Sequence, residues 1–266
     1  MNTKYKIQIL DLLRMASIRE DYTSSEGDAE RRRAVEEMFD LLWGQNGKVY
    51  LPTAVDHAYQ MIWIKLIGGE KRHGERLSDV DLAAELGLSR TPVRQALHRL
   101  AQDGLVRFDP RRGFSVREFT ARDIREIFEV RAALEVLALR LGAHKLERPQ
   151  LQFELAQLEH VRAHMDQNPI YLFLQNDLRM HNMIIRASGN SRLIQILATI
   201  RSQHGLFQFR DSFYPGRILR ALEDHERILL CLLDGDFGRA EEQLAQHIRN
   251  SMEGILVDLF GEGGEV

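Results

Sequence analysis

The spacing of apolar positions divides the chain into three parts. Over residues 1–50 it is uneven, with helical patterns at 4–15 and 29–43 separated by DYTSSEGD, a loop signal. Over residues 51–117 helical spacing gives way to a Gly- and Pro-punctuated end, and from Phe119 onward it is helical almost without break. Within the middle part, DLAAELGLSRTPVRQALHRL packs two short helical patterns around one glycine. Leu82, Ala83 and Leu86 share an apolar face, Gly87 can take the left-handed conformation that ends a helix, and Ser89 can cap the next one, with Pro92 tolerated in its first turn. Val93, Ala96, Leu97 and Leu100 form the apolar side of the second helix, which leaves Arg90 and Arg94 on one face at its start. Downstream, GLVRFDPRRGFSV carries two short apolar runs on either side of residues 109–113, which predicts a β-hairpin with Arg111 and Arg112 at its tip. The expected fold class is mainly α: an N-terminal winged helix-turn-helix with a small β-hairpin wing, then a C-terminal antiparallel all-α bundle. The expected units are an extension over 1–50, the winged unit over 51–117 and the bundle over 118–266. The extension carries no recognisable chemistry, and deleting residues 1 to about 45 is expected to leave a folded dimer, although Phe39 and Trp43 give that stretch a face able to pack on either domain.

Composition changes this picture little. The chain has 266 residues, 44% hydrophobic and 28% charged, ordinary for a globular protein of one large or two average domains. A single cysteine, Cys231 in ILLCLL, excludes a disulfide within the chain and is expected to be a buried thiol in a reducing compartment. The longest apolar runs are about six residues, against the roughly 20 needed to cross a bilayer. With no signal-peptide pattern at the N-terminus, no membrane association is expected and the cytoplasm is the expected location. Net charge is only −3. It is unevenly spread, however: residues 89–117 hold seven arginines against Asp103 and Asp109, a local excess of +5. Such a patch suits phosphate, because neutralising a DNA backbone releases its condensed counterions. In a helix-turn-helix the first residues of the second helix meet base edges in the major groove, and an arginine fork can engage guanine O6 and N7 together.

The run GERLSDVDLAAELGLSRTPVRQALHRLAQDGLVRFDPRRGFSV resembles the winged helix-turn-helix of GntR-type bacterial transcription regulators, over nearly all of residues 54–117. The resemblance implies DNA contacts at Ser89, Arg90, Thr91 and Arg94 in the second helix and at Gly113 at the wing tip. Val80 stands where a family member with well-known DNA contacts has an arginine, which implies a different operator preference.

The helical remainder places histidines selectively. His160 and His164 lie opposite the stripe Leu151, Leu155, Leu158 and Met165 and are expected in solvent. His181 falls between Leu174, Leu178 and Ile185 on an apolar face, with Asp177 one turn before it; a carboxylate and an imidazole directed into a core must be paired or bind a cation. His225 shares a face with Ile218, Leu222, Leu229 and Leu232. From it a helix can run about 12 Å to the DGD turn, and about 15 Å of returning helix brings His247, beside Leu244, back to its level. Asp177, His181, His225 and His247 can therefore converge from three helices as an N3O set, which zinc accepts and which nickel or manganese accept with added waters.

FEVRAALE, NDLRMHNMIIRASGN and EDHERILLCLLDGDFGRAEEQLAQHI resemble the all-helical ligand-binding domain of the FadR subgroup of GntR regulators, the FCD domain, over about residues 122–250. That resemblance maps the metal ligands of the subgroup onto Asp177, His181, His225 and His247. It implies a homodimer on a pseudo-palindromic DNA operator, with a small carboxylic acid bound beside the metal as effector. Arg131 lies on the apolar stripe of Ile127, Leu134 and Ala138, so its charge points inward toward a carboxylate, either an effector's or that of Glu135. His204, with Leu193, Leu197 and Ile200, and Asn190, after Gly189, are further effector-lining candidates, the alternatives being core packing and a helix C-terminal cap. The reading is an effector-responsive transcription regulator, a repressor. The alternatives are a metal-dependent hydrolytic enzyme, in which the open metal position activates water, and a constitutive DNA-binding protein with a purely structural metal. No separate general base supports the enzyme.

Overall fold

Thr53 and Asp56 satisfy each other's backbone N–H groups in a capping box and start α1 (Ala54–Ile67), whose Tyr59, Ile62, Trp63 and Leu66 are buried. The structure is a computed structural model and describes residues 32–33, 35–40, 42, 53–165, 169–211 and 215–261, with side chains at 169–171, 208–211 and 215 excepted. Next come α2 (Asp79–Leu86) and α3 (Arg90–Gln102), separated by Gly87. Gly87 has φ 64° and its N–H meets the carbonyls of Ala83 and Ala84, so the predicted left-handed helix end is present; a side chain there would be strained. The apolar side of α3, Val93, Ala96, Leu97 and Leu100, is buried as its spacing requires.

The wing is larger than the sequence pattern indicated. β2 (Val106–Asp109) and β3 (Gly113–Val116) form the expected antiparallel hairpin, but β1 (Arg76–Leu77) adds a third strand on the far side of β3. Two residues cannot display an alternation, so periodicity missed β1. Asp109 shapes the tip by accepting from the backbone N–H groups of Arg111 (2.7 Å) and Arg112 (3.0 Å). His98 of α3 stands edge-on to Phe108 and Phe114 and ties helix to hairpin.

The bundle comprises α4 (Ala121–Gly142), a 3-10 turn (Ala143–Lys145), α5 (Arg148–Ala163), α6 (Pro169–Ala187), α7 (Ser191–Asp211), α8 (Pro215–Leu233) and α9 (Phe237–Phe260). Helix α4 is central and packs against α6, α7 and α9; α8 and α9 form a hairpin turned at 234–236. Cys231 is half-exposed rather than buried, because it sits beside the outer edge of α8; partial burial still pushes its thiol up. The two units meet along α7. Gln203 donates to the Asp103 carbonyl at the end of α3 (2.7 Å), Phe207 packs edge-on against Phe119 in the connecting segment (5.2 Å between ring centres), and α1 lies on α7.

The N-terminal extension packs into the core where it is described. Residues 35–40 are helical, and Val35, Met38 and Leu42 are buried in the main core. Phe39 stands edge-on to Trp63 of α1 at 5.3 Å. Met38 covers Gly205 of α7 so closely that a Cβ there would lie 2.7 Å from its Cε, and Gln175 of α6 donates to Glu37. The expectation that a folded dimer remains after deletion of residues 1 to about 45 has this packing against it: the described residues of the stretch fill a seam between both units. The predicted helix over 4–15 and Trp43 lie outside the described residues.

Candidate metal centre and nucleic-acid interface

The sequence-predicted DNA residues are exposed, apart from the half-buried Gly113. Ser89, Arg90, Thr91 and Arg94 are exposed at the start of α3, Arg111 and Arg112 are exposed at the wing tip, and Gly113 follows with φ 80°. Ser89 occupies the N-cap position, but its hydroxyl makes no capping bond. The reason is Pro92: at the third helical position it has no N–H to donate, which removes the usual capping partner. Arg90 reaches back to α2, where its Nη2 donates to both oxygens of Asp79 at 3.2 and 3.3 Å. Val80 beside it is 49% exposed.

In the bundle, Asp177 and His181 from α6, His225 from α8 and His247 from α9 converge, all buried, with one ligand atom of each within 4.8 Å of the others. The Nε2 atoms of His181 and His225 lie 3.3 and 3.2 Å from Nε2 of His247, and each lies 3.5 Å from Oδ1 of Asp177. Donors held 2.0–2.1 Å from one zinc ion in a tetrahedron stand about 3.3 Å apart. The donor set and its edges fit such an ion.

Carboxylates hold two of the rings from behind. His181 Nδ1 donates to Glu135 (2.5 Å), and His247 Nδ1 faces Asp224 at 3.4 Å, so each presents Nε2 to the centre. His225 Nδ1 has no hydrogen-bond partner among the described residues. Burial depresses the His181 imidazole to about 4, against the pull of Glu135 and Asp177 in the other direction. Burial, then the neighbouring His247, holds His225 well below its ordinary value. These rings are neutral, as metal ligation requires. Burial alone would raise Asp177, but His181, Arg201 and His225 together hold it below the usual carboxylate range.

The predicted effector residues fare differently. Arg131 is buried as expected, and of the two alternatives its partner here is Glu135, with Nε donating at 2.7 Å; its Nη2 also lies 3.4 Å from His181 Nε2. His204 is buried between the rings of Phe128 and Phe207, its Nε2 without a partner among the described residues, and burial holds it well below its ordinary value. Asn190 is exposed, and its Oδ1 accepts from the N–H groups of Arg192 and Leu193 (3.1 and 3.2 Å). It caps the start of α7 rather than lining a pocket or closing α6. A cavity of about 740 Å³ instead opens between α8 and α9, lined by Asp177, His247, Arg217, Asp224, Asn250 and Gly254 among others. His160 is exposed and His164 half-buried, both apart from the centre.

Two residues of the site escaped sequence reasoning. Arg201 is 1% exposed and its guanidinium bridges Glu135 (3.3 Å) and Asp177 (3.2 Å). It follows Leu193 and Leu197 at helical spacing, so the reasoning that singled out Arg131 would have found it. Asp224 is held ionised near about 2: burial opposes this, but hydrogen bonds from His247 and Asn250 prevail.

Comparison with known proteins finds matches for both units. Residues 54–116 match the bacterial regulatory proteins of the gntR family, and residues 126–250 match the FCD domain. The gluconate operon transcriptional repressor of Bacillus licheniformis is 30% identical over 171 residues, covering 62% of this chain and 67% of the repressor. The chain belongs to the GntR family. The transcriptional regulator YdhC of Bacillus subtilis is 27% identical over 209 residues, 78% of this chain and 92% of YdhC. In fold, Escherichia coli McbR/YncC superposes with a TM-score of 0.64 at 22% identity, over 77% of this chain and 98% of that one. This GntR-family chain is thus a DNA-binding transcription regulator, and its relatives are regulators rather than enzymes, which removes the hydrolase alternative. No helix among the described residues is long and apolar enough to cross a membrane.

Proposed function

We propose that this chain is a FadR-type repressor whose operator affinity is set by a small carboxylic acid bound with a divalent metal at Asp177, His181, His225 and His247. Zinc is the metal the donor set favours; nickel and manganese need added waters. The single observation that carries the reading is the 3.2–3.5 Å spacing of four buried donor atoms from three helices. A bound ion would supply a Lewis-acid point for an effector carboxylate, and the α8–α9 cavity reaches His247 and Asp177 from outside. Charge favours the same class of ligand. With His181 and His225 neutral, the buried Arg131 and Arg201 are matched by Glu135 and Asp177. A divalent ion adds two positive charges, and an incoming anion would join Asp224 in offsetting them.

DNA recognition is assigned to the unit over 51–117, with Arg90 and Arg94 reading bases, and Ser89, Thr91, Arg111, Arg112 and Gly113 seating the phosphate backbone. The unit over 118–266 binds metal and effector and forms the homodimer that a pseudo-palindromic operator requires. Val130, Leu137 and Leu141 recur on one side of α4 and are exposed in the single chain, a face suited to a second copy. The test is elemental analysis of purified protein together with operator titrations, with and without a panel of sugar acids and dicarboxylates, for the parent and His225→Ala. Metal at one ion per chain and an acid-dependent change in operator affinity, both lost in H225A, are expected. A parent that neither carries nor takes up a divalent metal refutes the centre; H225A that lacks metal but still responds to the acid reduces the metal to a structural part.

A further inference from the structure

Arg90 differs from the other arginine at the start of the reading helix in having a partner. Its Nη2 donates to both carboxylate oxygens of Asp79 at 3.2 and 3.3 Å, whereas Arg94, one turn on, has no salt bridge among the described residues. The pair spans the two helices of the motif, since Asp79 opens the first turn of α2 and Arg90 that of α3. Its members are unequally exposed: the Asp79 side chain is 19% exposed and that of Arg90 62%. The carboxylate is the recessed, anchored member, and the guanidinium projects from the DNA-facing surface.

We propose that Asp79 is a positioning residue for sequence recognition: it fixes the plane of the Arg90 guanidinium for one guanine and withholds that charge from phosphate. An unrestrained arginine on such a surface neutralises whichever phosphate is nearest, which adds affinity for every sequence alike. Reading guanine is more demanding, because the fork must meet O6 and N7 in the plane of the base. Nη2 carries two N–H groups, so with Asp79 held on one of them the other can still form a fork with Nε or Nη1 for that edge. Its negative charge disfavours a phosphate as the next neighbour of Arg90, whereas the guanine edge carries no net charge and can join the pair. Asp79 thereby lowers affinity for wrong sequences, which is how specificity is raised without a new contact. The inference rests on Arg90 reading a base, and the experiment tests that premise separately.

Full-length protein is used to select its operator from random-sequence duplexes, and dissociation constants are then measured for single-base operator variants and for random DNA at several salt concentrations. Asp79→Asn should bind random DNA several-fold more tightly, with a salt dependence steeper by about one phosphate contact, a slope change of about 0.9. At one guanine its discrimination should fall about tenfold, which is about 1.4 kcal/mol, and Arg90→Ala should lose preference at the same guanine. In the double variant the two losses should not add. Asp81→Asn, which removes an equal charge from the same turn without touching Arg90, should leave discrimination intact, and Asp79→Glu should restore part of it. A D79N protein with the parent's base preferences, or losses that add fully in the double variant, overturns the proposal. An R90A protein that keeps every base preference overturns the premise and the proposal with it. If D79N fails to melt cooperatively, D79E decides: preferences as weak as those of R90A refute positioning by the carboxylate.

Discussion

Acidification should unfold the metal-free protein far more steeply than an ordinary bundle, and the size of the effect follows from the buried imidazoles. A histidine whose folded pKa lies below its unfolded value binds fewer protons in the native state. Its neutral burial is tolerated above the unfolded pKa, and stability is lost as pH falls below it, down to the folded pKa. For His181 these limits are the ordinary 6.5 and about 4, so moving from pH 7 to pH 5 removes about 2 kcal/mol. His204 and His225 are held well below the ordinary value by burial, and each acts in the same direction by up to about 1.4 kcal/mol per pH unit. Asp177 and Glu135 are depressed instead, so their contribution is lost only as pH falls through the carboxylate range, mostly below this window. The summed loss is a large part of the 5–15 kcal/mol that holds a typical domain.

The assay is urea unfolding in chelator at pH 7, 6 and 5, repeated with excess zinc. Zinc at about 100 times its dissociation constant should add about 2.7 kcal/mol at pH 7, and less at pH 5, where protons compete for the three ligand rings. A metal-free protein whose stability changes by less than about 1 kcal/mol between pH 7 and pH 5 would falsify the neutral burial of these rings. Equal stabilisation by zinc at both values would show that the ion binds elsewhere.

Three further outcomes are expected. Met38→Ala should cost about 2–5 kcal/mol, because a fully buried side chain leaves a cavity over Gly205; a melting temperature like the parent's would show that the extension is not part of the core. Glu135→Ala leaves the buried Arg131 without its carboxylate and Arg201 with Asp177 alone, and should cost about 3–5 kcal/mol, while Glu241→Ala, at the exposed Arg140, should cost at most about 1 kcal/mol; similar melting curves for the two variants would contradict the burial argument. Gln203→Ala should keep its metal, measured by elemental analysis, but shrink the change in operator affinity caused by zinc or effector from about 1–3 kcal/mol to less than half of that; an unchanged response would mean that coupling bypasses this contact.

What the sequence disclosed and what it hid divide by range. The helix-turn-helix was legible because every signal for it is local: Gly87 at its positive φ and the four apolar residues of α3 lie within fourteen positions of one another. The four metal-site residues were legible for a different reason, that polar groups on apolar stripes have no place in a core unless they meet. The same rule applied to Arg201, but its partners are side chains from α4 and α6, so the pairing became visible only in three dimensions. The cavity was hidden because it exists only where two helix faces oppose each other, with Arg217 lying across Gly254 and pairing with Asp258. The docking of residues 35–42 was hidden because Met38 meets a glycine far along the chain, and the amphipathic pattern of a short helix does not name the surface that covers it.

Helix α7 unites these long-range contacts. Along its length Arg201 grips the ligand Asp177, Gln203 holds the carbonyl that ends the reading helix, Gly205 admits Met38, and Phe207 packs on the segment joining the units. A small axial or rotational shift of α7 would therefore be felt at once in the metal shell and at the C-terminal end of α3, whose first turn faces DNA. Asp103 strengthens that connection, since it also accepts the Tyr59 hydroxyl at 2.6 Å and so ties α1 to the same helix end. Because packed interfaces of this kind hold discrete arrangements rather than deforming smoothly, a change in charge at Asp177 would have a contiguous route through Arg201 and Gln203 to the C-terminal end of α3. That route would not pass through the wing, so DNA contacts at Arg111 and Arg112 in the winged unit would be separable from regulation through α7 in the bundle.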